Sequence, residues 1–414
     1  MKLQKINLDL NLMFFLLIFI LIFFTFESGL IQKINDSALY PIKDSIENKL
    51  IFEDWSFIFD TIRCKKLGHD ITVVNPCDPT GGRLWWADNI QFYIPFYPKI
   101  DFFYYTVLPW LQILIFFIIV SKLLNQKNLK SKILIFLIFF SPQILLLLAR
   151  MNNDLIIFIL IYFILLTNNN YLSSLIISYI SLVKFYPVIS GVILFLNKES
   201  LIKNLFFLML TFLLVGSFLI YSLDLEKIQN LFEIRGQLYG KSYRNFSFIS
   251  FIKYYSITFD KIEIYKNYIV ITCFVTLFLF ISSLTLYFIN KKNELIIDIQ
   301  DFKFKTFIVG TNLLVFCYIV FQNSFYREVF LIFSLPFIIE YSKTNLLIKF
   351  LFQLIYLKYL IGFLLTISLP TFGIIKELIL TKLFFDYIIM SILFGILIKF
   401  NLRVCQEKFG LIKS

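Results

Sequence analysis

Asp54 opens the stretch Glu53-Asp54-Trp55-Ser56-Phe57-Ile58-Phe59-Asp60-Thr61-Ile62-Arg63-Cys64-Lys65-Lys66-Leu67-Gly68, inside a long polar segment that precedes the main apolar runs. Two readings of it stand open. A helix starting here would take Asp54 as its N-cap and Gly68 just past its end, which alone accounts for both residues. A carboxylate at this position is also suited to act as a general base, accepting the proton of an attacking hydroxyl. Four cations sit where charge is expensive: Arg150, Lys184, Arg235 or Arg244, and Arg327. For Arg150 and Arg327, beside apolar runs, a long side chain snorkelling at a helix end is a sufficient account. Lys184 is harder to dismiss, because it lies well inside an apolar segment. Cations that converge without a metal site suit a lipid-linked phosphate, whose charge grows as it leaves.

The remaining chemical residues are few. Cys64 and Cys77 stand thirteen apart and are expected to form a disulfide, whereas Cys273, Cys317 and Cys405 are isolated. His69 is the only histidine, and no His/Cys cluster offers a metal site. Asn75-Pro76-Cys77-Asp78-Pro79 followed by Gly81-Gly82-Arg83 is a turn cluster. Its glycine pair precedes no helix, so it is not a phosphate-binding P-loop. Trp85 and Trp86 suit interfacial anchoring, or stacking on a sugar ring. No cofactor is implied.

These residues must be positioned by a chain that is 59% hydrophobic and only 16% charged, with a mean hydropathy of +0.81 over 414 residues. Soluble domains run nearer 25% charged. Soluble, disordered and collagen-like classes are thereby excluded. The apolar runs are continuous rather than alternating, so the expected class is an all-α polytopic membrane protein. The net charge of +12 carries no nucleic-acid signal, since Lys excess in short loops sets orientation across a bilayer.

Apolar runs predict an uncleaved N-terminal anchor near 10–30. Further spans are expected near 102–124, 133–149, 154–167, 204–222, 267–289, 306–322, 328–342, 346–369 and 378–400. That makes about ten full spans. The segment 172–196, interrupted by Lys184-Phe185-Tyr186-Pro187, reads as two half-helices that enter and leave on one face. With that reading, Lys-bearing loops such as 290–305 fall with both termini on the cytoplasmic side of the plasma membrane. The loops 31–100 and 223–265 then fall outside. The whole chain, 1–414, is taken as a single membrane domain. In loop 31–100, Trp55, Phe59, Ile62 and Lys66 share one helical stripe, predicting an amphipathic helix on the membrane surface.

The set resembles the polyprenyl-phosphate-sugar-dependent glycosyltransferases of family 87, which include the mycobacterial phosphatidylinositol mannoside mannosyltransferases. The resemblance is carried by Asp54 through Gly68-His69-Asp70-Ile71, Asn152-Asn153-Asp154, Lys184-Phe185-Tyr186-Pro187, Asn245-Phe246-Ser247 and Asn323 to Tyr326-Arg327. Two features depart from it: no histidine lies in the late outer loop, and the paired-cysteine insert is not part of the general pattern. The resemblance implies a GT-C-like bundle with a broken helix pair and a helical first outer loop. It implies transfer of a hexose, such as mannose, from a polyprenyl-phosphate donor to a lipid or glycan acceptor. Asp54 would be the base, and Arg150, Lys184 and Arg327 would hold the donor phosphate. Asp60, Asp78, Trp86, Asn153 and Asn245 are the candidates for sugar or acceptor binding. The alternative is a transporter or flippase of a lipid-linked glycan, which needs the cations but no base.

Overall fold

The structure, a computed structural model, describes residues 10–27, 52–71, 74–78, 90–93, 101–124, 129–197, 199–222, 245–246, 248, 251–252, 268–291, 298–320, 323–368 and 375–409. Most of the two long loops, Trp85 and Trp86 among them, lie outside the described residues. Among the described residues the architecture is helical apart from one short ladder, as expected where backbone polar groups must be satisfied without water. In chain order the helices are α1 (Leu10–Glu27), α2 (Glu53–Lys66), α3 (Leu108–Leu123, entered through a π-turn at Phe103–Val107), α4 (Leu129–Phe139), α5 (Pro142–Arg150), α6 (Asp154–Leu166) and α7 (Asn170–Val183). They continue with α8 (Ile193–Leu196), α9 (Leu201–Ser222), α10 (Tyr268–Lys291), α11 (Phe302–Val320), α12 (Leu331–Tyr341), α13 (Leu346–Ser368) and α14 (Ile375–Lys408). One two-residue ladder pairs β1 (Asn245–Phe246) antiparallel with β2 (Asn323–Ser324), placing Asn245 opposite Ser324.

Six described helices are long and apolar enough to cross a bilayer, and seven if the bent pair α4–α5 is one span. The chain is therefore a multi-pass membrane protein. The expected single span over 133–149 is instead broken by a 51° bend between α4 and α5. Pro142 explains it. The proline lacks an N–H and pushes the preceding residue out of the helical region, and Ser141 is extended at φ −75°, ψ 149°. Of the expected spans over 154–167 and 328–342, the first is the thirteen-residue α6. The second opens as a 3₁₀ turn, Phe325–Phe330, before the eleven-residue α12.

Residues 170–197 fold as a hairpin. α7 runs to Lys184, a 3₁₀ stretch (Tyr186–Val192) and α8 return, and each leg is roughly 20 Å long. The two ends meet, because the Asn197 amide donates to Asn170 Oδ1 at 2.5 Å. Asn170 in turn donates to Asn204 Oδ1 of α9 at 2.7 Å, a buried amide chain that locks this end. Lys408 of α14 donates to the carbonyl oxygens of Asn197 and Glu199 at the same end.

α11 is the most enclosed of the long spans, whereas α9 and α10 leave much of their apolar surface uncovered. Two close approaches bind the core. A Cβ on Gly310 of α11 would stand 2.6 Å from Phe333 Cβ and 2.8 Å from the Phe330 carbonyl oxygen. One on Gly395 of α14 would stand 2.5 Å from the Ser282 carbonyl oxygen of α10. Small residues that let backbones approach are the usual currency of helix packing in lipid.

Candidate functional site

α2 forms where the amphipathic stripe predicts it, but it is seated differently. Trp55, Phe59 and Ile62 are buried against protein rather than laid on a surface, while Lys66 is exposed. The Trp55 indole donates to the Tyr104 carbonyl at 2.8 Å, and Phe59 packs on the rings of Tyr104 and Tyr105. Gly68 takes the left-handed conformation just past the helix end, at φ 88°. Asp54 is not the N-cap. Phe52 holds that position, at φ 67°, and makes no side-chain cap. Its backbone N–H instead donates to the Ala149 carbonyl at 2.8 Å, tying the start of α2 to the end of α5. Met151, directly after α5, is also left-handed at φ 50°. Non-glycine residues in this region are costly and persist where surrounding structure dictates them. The two here bracket the contact between Asp54 and Arg150.

That contact opens a continuous polar network. Arg150 Nη2 donates to Asp54 Oδ1, and the Asn152 amide donates to Asp54 Oδ2, both at 2.6 Å. Asn152 Oδ1 accepts from Lys184 Nζ at 2.5 Å, and Lys184 also donates to Asp154 Oδ1 at 2.6 Å. The Tyr186 hydroxyl donates to the same Asp154 oxygen at 2.6 Å. Arg327 Nε lies 3.7 Å from Asp154 Oδ2, its guanidinium is 4.3 Å above the Tyr186 ring, and Nη1 is 4.0 Å from Cys317 Sγ. Four segments distant in sequence thus meet: the start of α2, the α5–α6 turn, the Lys184 hinge of the hairpin, and the turn before α12.

Exposure divides the roles. Asp54 and Arg150 are each 15% exposed, Lys184 20% and Arg327 17%, whereas Asp154 is fully sealed. Asp154 is therefore the internal counter-ion of Lys184 and Arg327. The other four present an accessible edge. Asp154, Tyr186 and Asn152 complete the site. The sequence marks Asn152 and Asp154 only as a polar turn, and Tyr186 only as part of the break.

No protein-family model, curated protein or solved structure matches the chain. What the site can do rests on its geometry alone.

The other expected site residues are placed as follows. Asn153 and Gln91 of the turn Ile90–Tyr93 exchange two amide hydrogen bonds at 2.9 and 3.2 Å, beside the network. Asp60 is buried on α2 and accepts from the Tyr105 hydroxyl at 2.8 Å, in a separate pairing. Cys64 and Cys77 are joined by a disulfide, and buried Asp78 follows in the turn. The backbone of Asn245 pairs beside Ser324, three residues ahead of Arg327. Trp86 lies outside the described residues.

Proposed function

We propose that the protein is a membrane glycosyltransferase. It transfers a hexose from a polyprenyl-phosphate donor to a hydroxyl of a lipid or glycan acceptor at the extracytoplasmic face. The observation that carries this reading is the convergence of Asp54, Arg150, Lys184 and Arg327 into one partly exposed network. Arginine and lysine are the charge-assisted donors a phosphate requires.

In this reading the acceptor oxygen attacks the anomeric carbon while the bond from that carbon to the phosphate oxygen breaks. The electron pair leaves with the polyprenyl phosphate, whose growing charge meets Arg150, Lys184 and Arg327. The hydroxyl proton passes to Asp54. Asp54 keeps a partly exposed edge at which a hydroxyl can approach. The wider frame is a GT-C-like bundle of about ten spans in the plasma membrane. Both termini are cytoplasmic, because the hairpin 170–197 adds no crossing.

Asp54→Asn tests the reading. With purified protein and a radiolabelled polyprenyl-phosphate hexose, transfer should fall by about 10²- to 10⁴-fold while donor binding persists. A flippase of a lipid-linked glycan would tolerate the change, and undiminished transfer would remove Asp54 as the base.

A further inference from the structure

Beside the site lies a second set of charges. Glu328 of the 3₁₀ turn, Lys358 of α13, and Lys382 and Asp386 of α14 are all at most 5% exposed. Every opposite pair among them is in contact. Lys358 Nζ lies 2.7 Å from Glu328 and 2.5 Å from Asp386, and Lys382 Nζ lies 3.0 Å from Glu328 and 2.9 Å from Asp386. The set is internally neutral, so it does not call for an ionic ligand of its own.

Burying four charges is not the cheapest way to hold helices together. Well-packed apolar residues of similar volume serve as well or better. What paired charges add is a fixed direction. The element that needs one is the turn Phe325–Phe330, six residues long and too short to hold itself rigidly. On it, Glu328 points into the bundle, and its chain neighbour Arg327 points to Asp154 and Tyr186.

We propose that Glu328, Lys358, Lys382 and Asp386 are positioning residues that hold Arg327 at the phosphate end of the site. This rests on the donor-phosphate reading above. Arg327 gains affinity for a phosphate only if its guanidinium is already in place, and the four-charge set supplies that order from outside the site.

The test uses full-length protein in detergent, with undecaprenyl phosphate as the probe. Glu328→Gln should weaken its binding by about tenfold, as should Arg327→Gln. The double variant should bind no more weakly than the worse single one. The fourfold exchange Glu328→Lys, Lys358→Glu, Lys382→Glu and Asp386→Lys, which keeps every contact between opposite charges, should restore affinity to within about threefold, an effect that a general loss of packing would not give. Wild-type affinity in Glu328→Gln, or effects that multiply in the double variant, would overturn the proposal. Should Glu328→Gln not fold, Glu328→Asp carries the same comparison, since it keeps the charge and shortens the reach.

If the wild-type protein does not bind undecaprenyl phosphate, the donor reading fails by itself. The positioning claim is then read from Cys317, which is buried 4.0 Å from Arg327. Its alkylation, resolved by peptide mass spectrometry, should accelerate in Glu328→Gln and return to the wild-type rate in the exchange variant. An unchanged rate would overturn the claim.

Discussion

Two aspartates linked through Asn152 and Lys184 carry different burdens. Asp54 keeps some exposure, so Asp54→Asn should cost less stability than the same change at Asp154, while removing transfer. Asp154 is sealed between Lys184, Tyr186 and Arg327. Asp154→Asn removes the sealed carboxylate between two cations, and should destabilise the protein by about 3–5 kcal/mol. Thermal unfolding of the two variants in one detergent separates these outcomes, and equal losses would contradict the division. The four accessible residues were legible in the sequence because charge is scarce there and each misplaced one stands out. Asp154 was not, since a carboxylate before an apolar run reads as a helix start. Lys358, Lys382 and Asp386 escaped for a different reason. They sit inside runs whose overall hydropathy marks a span, and Lys358 meets its partners only on other elements. The i, i+4 spacing of Lys382 and Asp386 was the one local hint.

At the level of elements, breaks position the site more than regular helices do. The Lys184-Phe185-Tyr186-Pro187 break was visible as a charge and a proline within an apolar run. The Ser141-Pro142 bend carried an equal signal, but continuous hydrophobicity on both sides hid it. Without that bend α5 would extend along α4, and Arg150 would not meet Asp54. The seating of α2 was half legible: periodicity located the apolar stripe, but no local rule says whether lipid or protein covers it. Close approaches invite a test. Gly310→Ala drives a methyl into Phe333 and the Phe330 carbonyl at the end of the Arg327 turn. It should destabilise the protein by about 1–3 kcal/mol and also weaken undecaprenyl phosphate binding. Gly395→Ala, packed against α10, should cost comparable stability with a smaller effect on binding. Equal loss of binding in both would mean that the Phe330 contact has no special bearing on Arg327.

Across the whole molecule, polar contacts gather at two ends. The network around Asp54 marks one. The Asn197–Asn170–Asn204 chain, the Lys408 contacts and the ion pair of Lys303 with Glu340 mark another. The hairpin 170–197 spans from the amide chain at its base to Lys184 in the network. A reporter fused after Lys303 should therefore report the cytoplasmic side, and an extracytoplasmic signal would reverse the proposed orientation. The Cys64–Cys77 disulfide should leave both thiols unalkylated without reductant. Its removal by Cys77→Ser should cost about 3 kcal/mol, measured by thermal unfolding. The four-charge set also has a consequence for how the protein is made. Asp386 follows Glu328 by 58 residues, a delay of several seconds at roughly 5–20 residues per second of synthesis. Through that interval Glu328 has no completed set of partners, and the Arg327 turn waits for α14 to be delivered. A nascent chain released before α14 would carry every residue of the Asp54 network and still lack the partners of Glu328, so the turn is set only once α14 has been made.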